Sequence, residues 1–159
     1  MIRLASVSDA EAIHLLRIAA IRSLARSHYS PDEIEAWCGH RSAASFFEPI
    51  QHKLVIIEAN REAINGFGQL DLSTRTIEAI YVAPSSARRG IGAQLLAELE
   101  ARAKAAGLSE LRLESSLNAV AFYAQAGYSP VCEANHAFDA GASISCINMR
   151  KALAASAGA

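Results

Sequence analysis

The 159-residue sequence predicts an α/β (α+β) fold, a mixed sheet with helices on both faces. The first observation is the order of elements: one strand, two helices, three strands, a helix, a strand, a helix and two strands. The second is the composition, 52% hydrophobic and 19% charged, which is typical of a globular chain with one core. We therefore expect one domain over residues 1–153 and a frayed tail at residues 154–159.

The N-terminal part predicts a short strand at residues 2–5 followed by two helices. Ser8 and Glu11 have the spacing of a capping box that opens the first helix. The apolar residues of this helix that fall near one face are Ile13, Leu16, Ala20 and Leu24. A second, short helix begins with Ser30 as its cap and Pro31 at its first position.

The middle of the chain changes to a strand pattern. From Lys53 the run KLVIIEA predicts a buried strand, and Asn65-Gly66 is a typical turn signal before a return strand, FGQLDL. The fourth predicted strand, TIEAIYV, is stopped by Pro84.

The C-terminal part begins with the most regular helix, GAQLLAELEARAKA, which ends at Gly107. Its apolar stripe consists of Leu95, Leu96, Leu99 and Ala103. A strand (LSELRLESS), a helix (NAVAFYAQAG) and a final pair of strands follow.

The charge balance, the hydropathy and the cysteine spacing argue against several classes of protein. With 15 basic and 16 acidic side chains, the chain lacks the positive surface that nucleic-acid binding needs. No window approaches the roughly 20 apolar residues of a membrane span, and no signal peptide is predicted, so we expect a cytoplasmic protein with no membrane partner. Cys38, Cys132 and Cys146 have no metal-ligand spacing and predict free thiols, although the last two could face each other in a terminal hairpin.

The loop between the fourth predicted strand and the long helix predicts an anion site. Arg88 and Arg89 supply positive charge, while Gly90 and Gly92 let the backbone approach phosphate oxygens at a helix N-terminus. The alternative is a solvated turn. A Walker loop is excluded because no Gly-Lys-Ser/Thr follows, and a dinucleotide fingerprint is weakened because Leu95 replaces its third glycine.

The run YVAPSSARRGIGAQLL, followed by SSLNAVAFYAQAGY, resembles the GCN5-related N-acetyltransferases (GNAT) over nearly the whole chain. The family's loop reads Gln or Arg, two residues, Gly, one residue, then Gly or Ala, and here Ala87 departs at its first position. The resemblance implies a GNAT-like mixed, mostly antiparallel twisted sheet of about seven strands. It also implies about four helices on both faces and strands splayed at the cofactor site.

The resemblance further implies acetyl-CoA as co-substrate, with no metal. Its pantetheine arm would pair with backbone groups of Ile80, Tyr81 and Val82. Asn118 matches a position that bonds the same arm, and it is also a candidate N-cap of the following helix. The two roles are compatible, because they can use different atoms. The residues that would hold the pyrophosphate are Arg88, Arg89, Gly90, Ile91, Gly92 and Ala93.

For catalysis, the resemblance implies that Tyr123 donates a proton to the departing CoA thiolate, although Tyr123 also reads as a packing aromatic. Glu78 is the candidate base that receives the proton of the amine. The family's acid falls nearer Thr76, which strand alternation places on the same face as Glu78. Asp71 is a weaker alternative, and Glu78 also reads as a solvated strand residue.

The segment from Ala25 to Trp37 resembles the substrate-side helices of a bacterial subgroup of the family. His28, Tyr29 and Trp37 are therefore the candidate acceptor-binding residues, with a core role equally open for Trp37. Phe46 and Phe47 belong to the same wall or to the core.

The predicted function is acetyl transfer from acetyl-CoA to a primary amine of a small molecule or peptide, by direct attack in a ternary complex. The alternatives are a non-catalytic CoA-binding sensor or interaction module, and a site for another phosphorylated ligand. A homodimer is compatible with the sequence, but no segment indicates an interface.

Overall fold

A computed structural model of the protein describes residues 1–39, 41–138 and 141–154. Residues 155–159 of the predicted tail lie outside the described residues. The helices are α1 (Ala10–Leu24), α2 (Pro31–Gly39), α3 (Phe47–His52), α4 (Ile91–Ala105) and α5 (Val120–Gln125). The strands are β1 (Ile2–Leu4), β2 (Leu54–Ala59), β3 (Ile64–Asp71), β4 (Thr76–Val82), β5 (Glu110–Ser116), β6 (Ser129–Ala137) and β7 (Ser143–Ala152).

The seven strands form one mixed sheet in the order β1-β2-β3-β4-β5-β7-β6. Every neighbouring pair is antiparallel except β4 and β5, which run parallel. The predicted fold class is confirmed, and the seven strands follow one another along the chain in the predicted places. The short helix α3 was not predicted, because six residues are too few to show a helical period.

Helices cover both faces of the sheet because the central strands are apolar on both sides. In β2, the adjacent side chains of Ile56 and Ile57 are both fully buried, yet they belong to different clusters. Ile56 packs with α4 and α5, whereas Ile57 packs with α1. The predicted stripe of α4 is entirely buried, as expected for the helix that covers the middle of the sheet.

The predicted cap of α2 is confirmed, and that of α1 is wrong. Ser30 Oγ accepts from Glu33 N at 3.1 Å, and Ser30 N donates to Glu33 Oε1 at 2.9 Å. At α1 the carboxylate that bonds back is Asp9, which accepts from Ser6 N at 2.8 Å and from Arg3 at 2.9 Å. The ion pair with Arg3 fixes Asp9 there, so a 3₁₀ turn at residues 7–9 precedes the helix.

The predicted turn at Asn65-Gly66 is also wrong, because both residues lie within β3. The turn is formed by Asn60, whose Oδ1 accepts from the backbone N–H groups of Glu62 and Ala63. Gly66 is instead a point of close approach. A Cβ atom there would lie 3.0 Å from Ile91 Cγ2, from Leu95 Cδ1 and from the Tyr81 carbonyl oxygen.

Gly66→Ala is therefore expected to destabilise the fold by about 1–3 kcal/mol, since the Tyr81 carbonyl belongs to the backbone and cannot move aside. Thermal unfolding should show a melting temperature lower by about 3–10 °C. Gly39→Ala is the matched control, because nothing lies within 4 Å of the added Cβ. Equal melting temperatures for the two variants would contradict close packing of α4 on β3.

The three thiols are free. Cys132 and Cys146 do lie in the terminal hairpin, but they are not opposite each other. Cys132 pairs in register with Asn148, and Cys146 pairs with Ala134. Within the described residues, no helix has the length and apolar character needed to cross a bilayer.

Candidate active site

The parallel strands β4 and β5 separate soon after they begin. Their pairing is limited to Thr76 with Arg112 and Ile77 with Leu113. Beyond these pairs, β4 continues to Val82 against β3, and β5 continues to Ser116 against β7. The sheet therefore has a gap with two unpaired strand edges, which is the predicted splay.

The loop after β4 leads to the N-terminus of α4. Its start is fixed by Asn65, whose carbonyl oxygen accepts from Ala83 N at 2.8 Å and whose Oδ1 accepts from Ser86 Oγ at 3.1 Å. Arg88 and Gly90 both have left-handed backbone conformations, with φ of 64° and 76°. Arg88 and Arg89 are exposed. These features leave the first-turn N–H groups of a 15-residue helix open beside two cations, which favours an anion.

Tyr123 lies on α5 and is buried in the core on the α4 side of the sheet. Its ring makes edge contacts with Phe122 and Tyr128, at centroid distances of 5.0 and 5.8 Å. Burial, followed by the nearby Tyr81, raises the pKa of the Tyr123 phenol above its usual value. The phenol is therefore neutral at physiological pH, which is the form that can donate a proton.

Asn118 lies in the 3₁₀ turn between β5 and α5. It does not cap either helical segment: the cap positions are Ser116 and Ala119, and neither cap has a side-chain hydrogen bond. Its Oδ1 atom is buried and has no hydrogen-bond partner among the described residues. A buried acceptor without a protein donor can accept a hydrogen bond from a ligand N–H or from a water molecule.

A cavity of about 270 Å³ borders the separated parts of both β4 and β5. Its apolar wall is formed by Trp37, Phe46, Phe67 and Ile144. Its polar wall is formed by Arg17, Arg41, Gln69, Glu78, Glu114 and His136. One cavity thus combines aromatic surface with cations and carboxylates, as small-molecule sites do.

Glu78 lies at an irregularity of β4. Gln69 pairs with Ala79 and Leu70 pairs with Ile77, so Glu78 is the extra residue of a bulge. Its carboxylate accepts from Lys53 Nζ at 2.8 Å and from Gln69 Nε2 at 2.5 Å. The carboxylate is held at the cavity wall by these two donors.

Lys53 is part of the same cluster. Burial opposes its charge, but hydrogen bonds and charge from Glu78 and Asp71 outweigh this and raise its pKa. Asp71 lies outside the cavity wall. Its Oδ1 atom accepts from the Ser73 hydroxyl at 2.6 Å, and Lys53 Nζ lies 3.6 Å from its Oδ2. Asp71 thus holds the β3–β4 turn.

A second carboxylate on the cavity wall, Glu114 on β5, was not predicted. His136 Nδ1 lies 3.0 Å from its Oε2, and the Cys146 thiol donates to the same oxygen at 3.6 Å. Burial, followed by the charge of Glu114, raises the pKa of Cys146 to about 11, so this thiol is protonated at neutral pH. Within the described ranges, no three His, Cys, Asp or Glu side chains are grouped so as to hold a metal ion.

The acetyltransferase (GNAT) domain profile matches residues 25–153. The chain belongs to the GNAT family of acetyltransferases. A GCN5-related N-acetyltransferase from Rhodopseudomonas palustris has a TM-score of 0.90 and 27% identity, over 96% of this chain and 95% of that chain.

The solved structures that are similar to this chain include some that contain coenzyme A or acetyl-CoA. The PaiA N-acetyltransferase from Thermoplasma acidophilum, in complex with coenzyme A, has a TM-score of 0.78 and 22% identity, with 96% and 98% coverage of this chain and that chain. YncA from Salmonella typhimurium, with acetyl-CoA, has a TM-score of 0.64 and 20% identity, with 99% and 96% coverage. At these identities the two show a common fold. No curated protein sequence matches the chain significantly.

In this GNAT chain the three predicted acceptor residues lie in different places. Trp37 is on the cavity wall. Tyr29 is buried outside that wall, where its hydroxyl donates to the Ser145 carbonyl at 2.6 Å and accepts from Leu117 N at 2.8 Å. His28 is exposed and bonds the Ser27 hydroxyl at 2.8 Å. Tyr29 thus fixes the turn that follows β5, at the edge of the gap.

Two buried polar residues of the GNAT cavity were not predicted from the sequence. Arg17 of α1 is 4% exposed and Gln69 of β3 is 3% exposed. The position of Arg17 was visible in the sequence, because it follows Ile13 by four residues and precedes Ala20 by three, on the apolar face. A charged residue within an apolar stripe marks a candidate site, because arginine is almost never fully buried unless it is paired.

Proposed function

We propose that this chain transfers the acetyl group of acetyl-CoA to a primary amine of a small-molecule or peptide acceptor, by direct attack in a ternary complex. One observation carries the proposal. The gap between β4 and β5 has the open N-terminus of α4 and the buried Tyr123 on one side, and it borders the cavity with Glu78 on the other. A donor and an acceptor entering from opposite faces would meet in this gap.

The residues present fit acetyl-CoA. The unpaired edge of β4 at Ile80, Tyr81 and Val82 offers backbone groups for the amides of pantetheine, as an added strand would use them. The segment Arg88–Ala93 offers cations and helix N–H groups for the pyrophosphate. Asn118 Oδ1 has no donor among the described residues and can accept one hydrogen bond from a ligand N–H.

The chemistry assigned to the chain's residues is proton transfer. The acceptor amine loses a proton to Glu78, directly or through water, and its nitrogen forms a bond to the acetyl carbonyl carbon. The C–S bond then breaks, and the Tyr123 phenol protonates the departing thiolate. The second proton that the nitrogen releases restores the phenol, which leaves free CoA and an N-acetyl amine. A backbone N–H on the open strand edge stabilises the negative charge on the carbonyl oxygen.

Thermal unfolding with acetyl-CoA, CoA and ATP added separately tests the donor. A ligand at about 100 times its dissociation constant adds roughly 2.7 kcal/mol to the stability of the native state, which corresponds to a rise of roughly 5–10 °C. We expect this rise with both coenzymes and little with ATP. The double variant Arg88→Gln/Arg89→Gln should reduce it, whereas Arg102→Gln at the other end of α4 should not.

No stabilisation by either coenzyme would contradict the proposal at its base. Stabilisation by the coenzymes without thiol release across a broad panel of amines would favour a non-catalytic CoA-binding module. A larger shift with ATP would instead favour another phosphorylated ligand.

A further inference from the structure

Arg17 is a buried cation with an unused donor. Its Nη2 donates to the Trp37 carbonyl oxygen at 3.1 Å, while its Nη1 is buried without a hydrogen-bond partner among the described residues. The guanidinium carbon lies 5.9 Å from the centre of the Tyr81 ring. Burial also lowers the pKa of Arg17, as expected for a charge removed from water.

This arrangement does not serve stability. A buried charge without a counter-ion is unfavourable, and natural cores avoid it unless the charge is paired. Arg41 lines the same cavity and is a second cation rather than a counter-ion for Arg17, with its guanidinium carbon 5.8 Å from the centre of the Phe46 ring. The part of the cavity wall that holds Arg17 therefore favours an anionic group of a ligand.

Gln69, on another part of the same cavity wall, offers an acceptor to a hydrogen-bond donor of the ligand. Its Nε2 must face Glu78, because the carboxylate only accepts hydrogen bonds. Its Oε1 is consequently turned away, buried and without a partner in the described part of the chain. Gln69 Oε1 and the Glu78 carboxylate together offer acceptors to an ammonium or amine.

We propose that the acceptor is a small amino-carboxylate, an amine whose own carboxylate is bound by Arg17 while its amino group lies at Gln69 and Glu78. This rests on the proposed acetyl transfer and names its substrate class. An arginine presents paired donors that match the two oxygens of a carboxylate. The apolar wall of Trp37 and Phe67 favours a hydrophobic side chain on the acceptor.

A comparison of matched acceptors tests this with the wild-type protein. Acetyl-CoA is supplied together with L-phenylalanine, L-leucine or L-methionine, or with the amide of each, and thiol release is followed. We expect kcat/KM for the best amino acid to exceed that for its amide by about 30-fold, because charge-assisted hydrogen bonds carry effects of this size. The α-amino group of an amino acid amide is less basic than that of the free amino acid, so a larger fraction of it is deprotonated and ready to attack. This difference alone would favour the amide, so a preference for the amino acid cannot be caused by amine basicity.

Variants of Arg17 assign the effect to this residue. Arg17→Met should lower kcat/KM for the amino acid about 30-fold, mainly through KM, and change that for the amide less than about threefold. Arg22→Gln is the control on the same helix, since Arg22 is exposed and pairs with Glu35. It should leave both values unchanged.

A binding measurement separates this inference from the proposed function. Calorimetry in the presence of CoA compares each amino acid with its amide, whether or not thiol is released. Binding of the amino acid that Arg17→Met abolishes would support the carboxylate site even if transfer fails. Equal turnover of the amino acid and its amide, or equal binding of the two, would overturn the proposed carboxylate site. The wild-type comparisons stand even if Arg17→Met does not fold.

Discussion

Tyr123→Phe is expected to lower kcat by about 100-fold or more while leaving the dissociation constant of CoA nearly unchanged. The change removes only the hydroxyl from a ring that stays packed between Phe122 and Tyr128. General acid catalysis raises a reaction rate by roughly 100-fold to 10,000-fold. In the variant, the thiolate would have to leave without receiving a proton from the phenol. Steady-state thiol release and calorimetry with CoA measure the two quantities.

Tyr128→Phe is the matched control, because its hydroxyl bonds Glu100 at 3.0 Å, away from the gap. It should retain wild-type turnover. Burial raises the pKa of Tyr123, so its proton stays on to higher pH than in an ordinary tyrosine, whose pKa is about 10. We therefore expect no alkaline loss of kcat from this group between about pH 7 and 9.5. Full turnover in Tyr123→Phe would eliminate Tyr123 as the acid.

Glu78→Gln is expected to lower kcat/KM about 100-fold at neutral pH, because the amide keeps the shape of the side chain but cannot take a proton. Part of the surrounding cluster should survive. Lys53 keeps its ion pair with Asp71 at 3.6 Å, and the Gln69 amide can donate to the carbonyl oxygen of the new side chain. The melting temperature should therefore change far less than the rate.

Glu114→Gln provides the comparison, since Glu114 is the other carboxylate on the cavity wall. Its side chain is 50% exposed, against 26% for Glu78, and it bonds His136 instead of a buried amide. We expect it to lose less than about fivefold in kcat/KM. A larger loss in Glu114→Gln than in Glu78→Gln would transfer the role of base to the Glu114–His136 pair.

Much of the fold was predictable because, along most of the chain, the hydrophobic periodicity agrees with the residues that begin and end helices and strands. The stripe Leu95, Leu96, Leu99 and Ala103 is buried as predicted. Gly107 ends α4 as expected, with its N–H bonded to the Lys104 carbonyl at 2.9 Å. Features of this kind depend on residues within about one helical turn of each other, so they can be predicted from the sequence alone.

Signals that depend on distant parts of the chain were misread. Asn65-Gly66 has the composition of a turn, but its glycine is required by the approach of α4, which lies 25 residues further along the chain at Ile91. Leu24 was assigned to the apolar face of α1, yet it is 47% exposed, because the helix buries Arg17 and Ile21 instead.

The candidate site divides in the same way. The anion loop and Tyr123 belong to continuous motifs, and the sequence predicted both, although their roles stay predictions. Gln69, Glu114 and His136 come from three different strands, and only the sheet order brings them to one cavity. No spacing along the chain could have predicted that meeting.

The short contact between β4 and β5 has a practical consequence. Two antiparallel sections of the sheet are joined through two residue pairs, and the strand edges beyond Ile77 and Leu113 are not paired with each other. Backbone amides on these edges should exchange with deuterium rapidly, while those of the joined pairs exchange slowly. A molecule lying in the gap would protect the open edges strand by strand. Exchange rates at β4 therefore give a direct readout of occupancy that needs neither turnover nor a known acceptor.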